Sequence, residues 1–200
     1  NYLLSAVRSD VDRLWTSTIR ELPLSLRAVF TDFGSPILDS SADVIPRIMA
    51  FNAARAGLSF SGPAPVLRTS DFERLYTDIE LDDLVERLQQ LLHSVFALHA
   101  DAPFIKVSNR RDKPHEWSAT LPAPAQEHSY NAGCQYHHFS VHTACHLLAA
   151  VIRNSFLLVG DRVFSQGGGS PMGGNASVHI ANFYLFTYEL AFLRQLVRCI

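Results

Sequence analysis

Three places in the sequence gather residue types that can do chemistry. Between Phe164 and Leu190 the chain reads FSQGGGSPMGGNASVHIANFYLFTYEL, with Gly167, Gly168, Gly169, Gly173 and Gly174 close together ahead of an aromatic, helix-like run. Glycine serves where a Cβ is forbidden or where another group must approach the backbone closely. A glycine turn that opens a helix also offers free N–H groups and a positive dipole end to anions. No Gly-Lys-Ser/Thr follows, so this is not a phosphate loop, and a hairpin rather than a parallel βαβ unit precedes it. The second place is Asp71, at the end of the β-prone run VLRTSDF, where a carboxylate suits a hard divalent ion or simply caps a turn. The third is the series Cys134, His138, His142 and His146, spaced by four, with His137 and Cys145 nearby. Zinc takes such ligands. Four residues along three turns of one straight helix, about 18 Å, do not meet at a single tetrahedral ion. His142 and His146 form an i, i+4 pair that Cys134 could join from the preceding loop. His115-Glu116-Trp117 lacks the second histidine of a zincin helix, and there is no Gly-x-Ser-x-Gly elbow.

The elements that must carry these residues follow from periodicity and breakers. Leu3, Leu4, Val7, Val11, Leu14, Trp15 and Ile19 share one helical face that ends near Pro23. Further helices are expected over residues 24–33 and 42–56, then a linker over 57–65. A short strand over 66–72 precedes a strong helix over 81–99, whose Leu84, Leu88, Leu91, Leu92 and Val95 recur at helical spacing. The run FIKVSNRRDKPHEWSA reads as two short strands about a charged turn, residues 120–133 as a loop, and residues 139–155 as a helix. FLLVGDRVFSQ reads as a hairpin about Gly160-Asp161, and a last helix runs from about Asn175. Strands mixed with long helices indicate α+β or α/β layering.

The stretch GSPMGGNASVHIANFYLFTYE resembles motif B of reverse transcriptases, whose form is Gly-x-Pro-Gln/Met-Gly, a small-residue turn, then a helix with Leu/Ile-Ala-Asn-x-Tyr-Leu. The matching residues are Gly169, Pro171, Met172 and Gly173, then Ile180, Ala181, Asn182, Tyr184 and Leu185. Gln166 stands where one branch of the family has Gln-x-x-Gly-x-Pro-Met-Gly. Gly168 and Ser170 replace bulkier residues of that branch, and Val178 replaces a proline. Upstream, TSDFERLYTDIELDDLVERL resembles motif A, Asp-hydrophobic-x-x-Leu-Tyr/Phe-Thr-x-Ile. The two motifs occur in the family's order, near 69–84 and 164–190, and the resemblance spans about 66–198.

That resemblance implies an α+β chain with part of a polymerase right-hand fold: a helical, fingers-side region over 1–62 and a partial palm over 63–200. It implies RNA-directed DNA polymerase chemistry, with an RNA or DNA template, a primer and a dNTP as partners and Mg²⁺ or Mn²⁺ as cofactor. Asp71 would be the catalytic, metal-binding carboxylate. Phe72, Tyr76, Gln166, Gly169, Pro171, Met172 and Gly173 would line the nucleotide, with Tyr76 against the sugar and Met172 an apolar contact. Nucleotidyl transfer is mostly positioning plus charge neutralisation by two ions, so carboxylates at strand ends suit it. The family's motif C, aromatic-x-Asp-Asp, is not present. Asp82 and Asp83 belong instead to the start of the helix after motif A, as N-terminal helix charges. The 200-residue chain is therefore expected to be inactive alone, a fragment cut at both ends. The other reading is a degenerate relic that binds nucleic acid or protein without catalysis.

Bulk composition narrows the field. The chain is 48% apolar and 18% charged, which is globular, and its net charge of −2 means that any polyanion groove must be a local patch. Arg68, Lys106, Arg110, Arg111 and Lys113 are the candidates for such a patch, or merely a solvated hairpin tip. Three cysteines and no export-type leader point to a reduced, intracellular protein. No apolar run approaches the roughly 20 residues of a bilayer span, so no membrane partner is expected.

Overall fold

In the computed structural model, residues 2–24, 26–27, 37, 41–57, 75–108, 115–121, 136–170 and 176–199 are described. Helix and antiparallel strand are mixed, with helix predominating. The chain divides into two compact units, one of residues 1–14 and 75–187, the other of residues 15–74 and 188–200. Residues 58–74, which hold most of the linker expected over 57–65, the boundary expected between 62 and 63 and the strand expected over 66–72, lie outside the described residues.

The first unit is built on helices whose apolar stripes the sequence displays. The stripe from Leu3 is carried by α1 (Tyr2–Ala6) and α2 (Arg8–Arg20), not by one helix. The break is slight, because the Val7 N–H still donates to the Leu3 carbonyl and the Val11 N–H to that of Val7. Farther on, α5 (Leu81–Ala97) buries Leu84, Val85, Leu88, Leu91, Leu92, Val95 and Phe96. It lies beside α6 (Val141–Arg153), which buries Ala144, Cys145, Leu148 and Ile152. Leu4, Val7, Val11, Leu88, Leu92, Leu148 and Phe183 converge on an apolar void of only about 10 Å³. Phe183 comes from α7 (Ser177–Arg198).

A three-stranded antiparallel sheet completes this unit, in the order β2 (Glu116–Ser118), β1 (Phe104–Ser108), β3 (Tyr136–Ser140). Ile105 faces Trp117 on one side and Phe139 on the other. The strand β3 corrects the helix expected from Phe139: Phe139 and Ser140 are its last residues, and α6 begins at Val141. Nonlocal pairing with β1 outweighs the local helical spacing of the histidines. Ser140 then turns the chain, its hydroxyl accepting the Thr143 N–H at 3.2 Å as an N-cap.

The Gly160-Asp161 signal gives the expected hairpin, β4 (Phe156–Val159) with β5 (Arg162–Ser165), in which Val159 pairs with Arg162. Gly160 sits at φ +64°, a conformation that two-residue hairpin loops require. All eight strand residues are exposed.

In the second unit, Trp15, Ile19, Leu22 and Ile37 are buried, as are Leu190 and Leu193 near the end of α7. The Arg27 guanidinium donates to the carbonyls of Arg20 and Leu22, closing the end of α2. A 3₁₀ turn (Ser41–Asp43) leads into α3 (Val44–Gly57).

Candidate functional site

The two stretches that resemble polymerase motifs meet through their backbones. The described part of the first stretch begins with a single helical turn, α4 (Leu75–Asp78), which runs through buried Ile79 into α5. The loop after β5 lies against it. The Gly169 N–H donates to the Ile79 carbonyl at 3.0 Å, and the Ser170 N–H to the Tyr76 carbonyl at 2.7 Å. Gly169 has φ +76°, and a Cβ there would stand 2.3 Å from the Tyr76 oxygen and 3.1 Å from Thr77 Cα. Both facts strongly favour glycine over any other residue type there. The approach that demands glycine at 169 is thus that of the chain's own Tyr76–Thr77 backbone. Gly167 and Gly168, by contrast, have no atom of the described residues within 4 Å of where a Cβ would sit.

Gln166 is held locally. Its N–H continues the hairpin ladder to the Ser155 carbonyl at 2.9 Å, and its side-chain amide donates to the Gly168 carbonyl at 3.0 Å. The Tyr76 side chain is half-buried beside this junction. Asp71, Phe72, Pro171, Met172 and Gly173 lie outside the described residues, as do Arg68, Arg110, Arg111 and Lys113. Of the expected site residues, Tyr76, Gln166 and Gly169 are therefore the ones placed, and Tyr76 and Gly169 adjoin.

A second link joins the same two stretches one helix turn deeper. The Tyr184 hydroxyl donates to Asp83 at 2.7 Å, and Arg87 donates its Nε–H to both Asp83 oxygens at 2.8 and 3.0 Å. Asp82 pairs with Arg153 at 2.7 Å on the surface. Asp82 and Asp83 are the acidic residues of the first turn of α5, as expected from their position after the first stretch. Asp83 also fastens α7 to α5, a role its position gave no sign of. Ile180 and Ala181 of α7 are buried as well.

The sequence also gave no sign of a polar cluster in the same unit. Asp10 is buried, with 3% of its surface exposed. Its Oδ1 accepts from His99 Nε2 at 2.9 Å and from Arg13 at 3.1 Å, while Oδ2 accepts from the Trp117 indole at 3.2 Å. His99 stacks on Trp117 with ring centroids 3.9 Å apart, and Phe96 meets the indole edge-on. One carboxylate thus ties α2, the turn after α5 and β2 together, with both oxygens hydrogen-bonded.

The four-residue Cys/His series does not form one face. His138 lies in β3, paired opposite Lys106, while His142 and His146 sit on α6. Cys134 is outside the described residues. Among the described residues no group of three or more His, Cys, Asp or Glu side chains is placed to hold a metal ion. No helix among them is long and apolar enough to cross a membrane. No family model, curated protein or solved structure matches the chain.

Proposed function

We propose that this chain is part of an RNA-directed DNA polymerase, the palm and adjoining helices of a right-hand fold. The observation that carries the reading is the seat of Gly169 on Tyr76 and Ile79. Two stretches far apart in sequence, each resembling one polymerase motif, share a backbone junction that tolerates no Cβ. Chance resemblance of two unrelated loops gives no reason for them to adjoin. The Asp83–Tyr184 bond adds a second link between the helices that follow the two stretches.

In this reading the aromatic ring of Tyr76 flanks the sugar of an incoming dNTP and rejects a 2′-hydroxyl by occupying its space. The open backbone at Gly167 and Gly168 leaves room for a flat base or base pair. The hydrogen-bonded junction holds that surface at a fixed distance from Tyr76, which is the positioning that phosphoryl-transfer enzymes rely on. Asp71 would take part in holding Mg²⁺ or Mn²⁺, which neutralises charge on the triphosphate when bound. The template and primer belong to the same proposal.

The test uses a longer protein that carries this chain together with an aromatic-x-Asp-Asp hairpin and a thumb. Tyr76→Ala in that protein should raise the use of ribonucleotides relative to deoxyribonucleotides in single-nucleotide incorporation. Unchanged discrimination would take Tyr76 out of the nucleotide pocket.

A further inference from the structure

His142 and His146 stand four residues apart on α6, and both are exposed. Their ring centroids are 4.3 Å apart with planes at 76°. A metal–nitrogen bond of about 2.0–2.1 Å puts each centroid roughly 3.2 Å from a shared ion. Two rings at a right angle about the ion then have centroids about 4.5 Å apart, and two at the tetrahedral angle about 5.2 Å. The observed separation is short enough for both rings to reach one ion. Among first-row divalent ions, imidazole sites bind Cu²⁺ most tightly, in tetragonal geometry.

We propose that His142 and His146 form a two-histidine chelate for a tetragonal divalent transition ion, Cu²⁺ above all, on the outer face of α6. Both ligands come from one regular helix, so binding needs no rearrangement of the backbone. Water completes the coordination sphere, since both rings face solvent. His138 lies in β3, opposite Lys106, and is not needed for the chelate. The N-terminal end of α6 disfavours a cation, and two neutral ligands give no charge compensation. Affinity is accordingly modest, and Cu²⁺ leads by its place in the stability order. This site is independent of the polymerase reading.

CuCl₂ titrated into the full 200-residue chain, followed by calorimetry and by electron paramagnetic resonance, tests it. The expected result is one Cu²⁺ per chain with a tetragonal, two-nitrogen spectrum. His142→Ala and His146→Ala should each weaken binding at least tenfold and reduce the spectrum to one nitrogen. His93→Ala, at an exposed histidine on α5, should leave both unchanged. Alanine at exposed helical positions does not threaten folding. No binding below millimolar Cu²⁺, or binding that survives both His142→Ala and His146→Ala, would overturn the proposal.

Discussion

The position that a Cβ would take on Gly169 lies 2.3 Å from the carbonyl oxygen of Tyr76. Within that contact the Ser170 N–H reaches the same oxygen at 2.7 Å, so the closeness is a hydrogen-bonded seat. Three consecutive glycines precede Ser170, yet the seat accounts for Gly169 alone. Gly167 and Gly168 meet nothing among the described residues.

That difference predicts a graded response to alanine. Gly169→Ala meets a positive φ, a backbone oxygen and the loss of two hydrogen bonds, and should destabilise the first unit by about 2–4 kcal/mol. Gly167→Ala and Gly168→Ala should each change stability by no more than about 0.5 kcal/mol. Urea unfolding followed by circular dichroism measures all three. Equal effects at the three positions would mean that the seat on Tyr76 does not constrain Gly169.

Much of this arrangement could be read from the sequence, and the rest could not for definite reasons. The helix α5 announces itself because its whole apolar face, from Leu84 to Val95, lies within one continuous segment. The hairpin β4–β5 is equally local, since Gly160-Asp161 sets its turn. The strand β3 was hidden because His138, His142 and His146 keep helical spacing, while its true partner, β1, is distant in the chain. Asp10 sits among the apolar positions of α2 as an ordinary surface carboxylate would. Its burial depends on His99 and Trp117, which only the tertiary fold supplies. The seat of Gly169 was half legible: the glycines signalled a close approach, but not that the chain's own carbonyl makes it.

The Asp10 cluster should be a main source of stability in the first unit. Asp10→Asn turns an amide donor toward a site built from donors and removes the charge that faces Arg13. A loss of about 2–4 kcal/mol is expected, because a buried polar network is left partly unsatisfied. Trp117→Phe keeps much of the ring packing and loses one hydrogen bond, so it should cost less, about 1–2 kcal/mol. Chemical denaturation of both variants checks the order. A change below about 0.5 kcal/mol for Asp10→Asn would mean that the buried contacts contribute nothing net.

Thiol chemistry should separate two of the cysteines. Cys145 is buried on α6, and desolvation pushes its thiol above the ordinary range, so the reactive thiolate is scarcer at any given pH. Cys199 is exposed. Iodoacetamide at mildly alkaline pH, followed by peptide mass mapping, should label Cys199 well before Cys145. Denaturant should bring Cys145 up to the rate of Cys199. Equal rates in the native protein would contradict the burial of Cys145.

The polymerase reading itself stands on Asp71 as the carboxylate that serves the reaction. Primer extension by a longer protein, in which this chain is followed by an aromatic-x-Asp-Asp hairpin and a thumb, tests it most directly. Asp71→Asn keeps the size of the side chain and removes its charge, so the primer should no longer be extended, a loss of at least about 10³-fold in rate. Full extension by the Asp71→Asn protein would contradict the account.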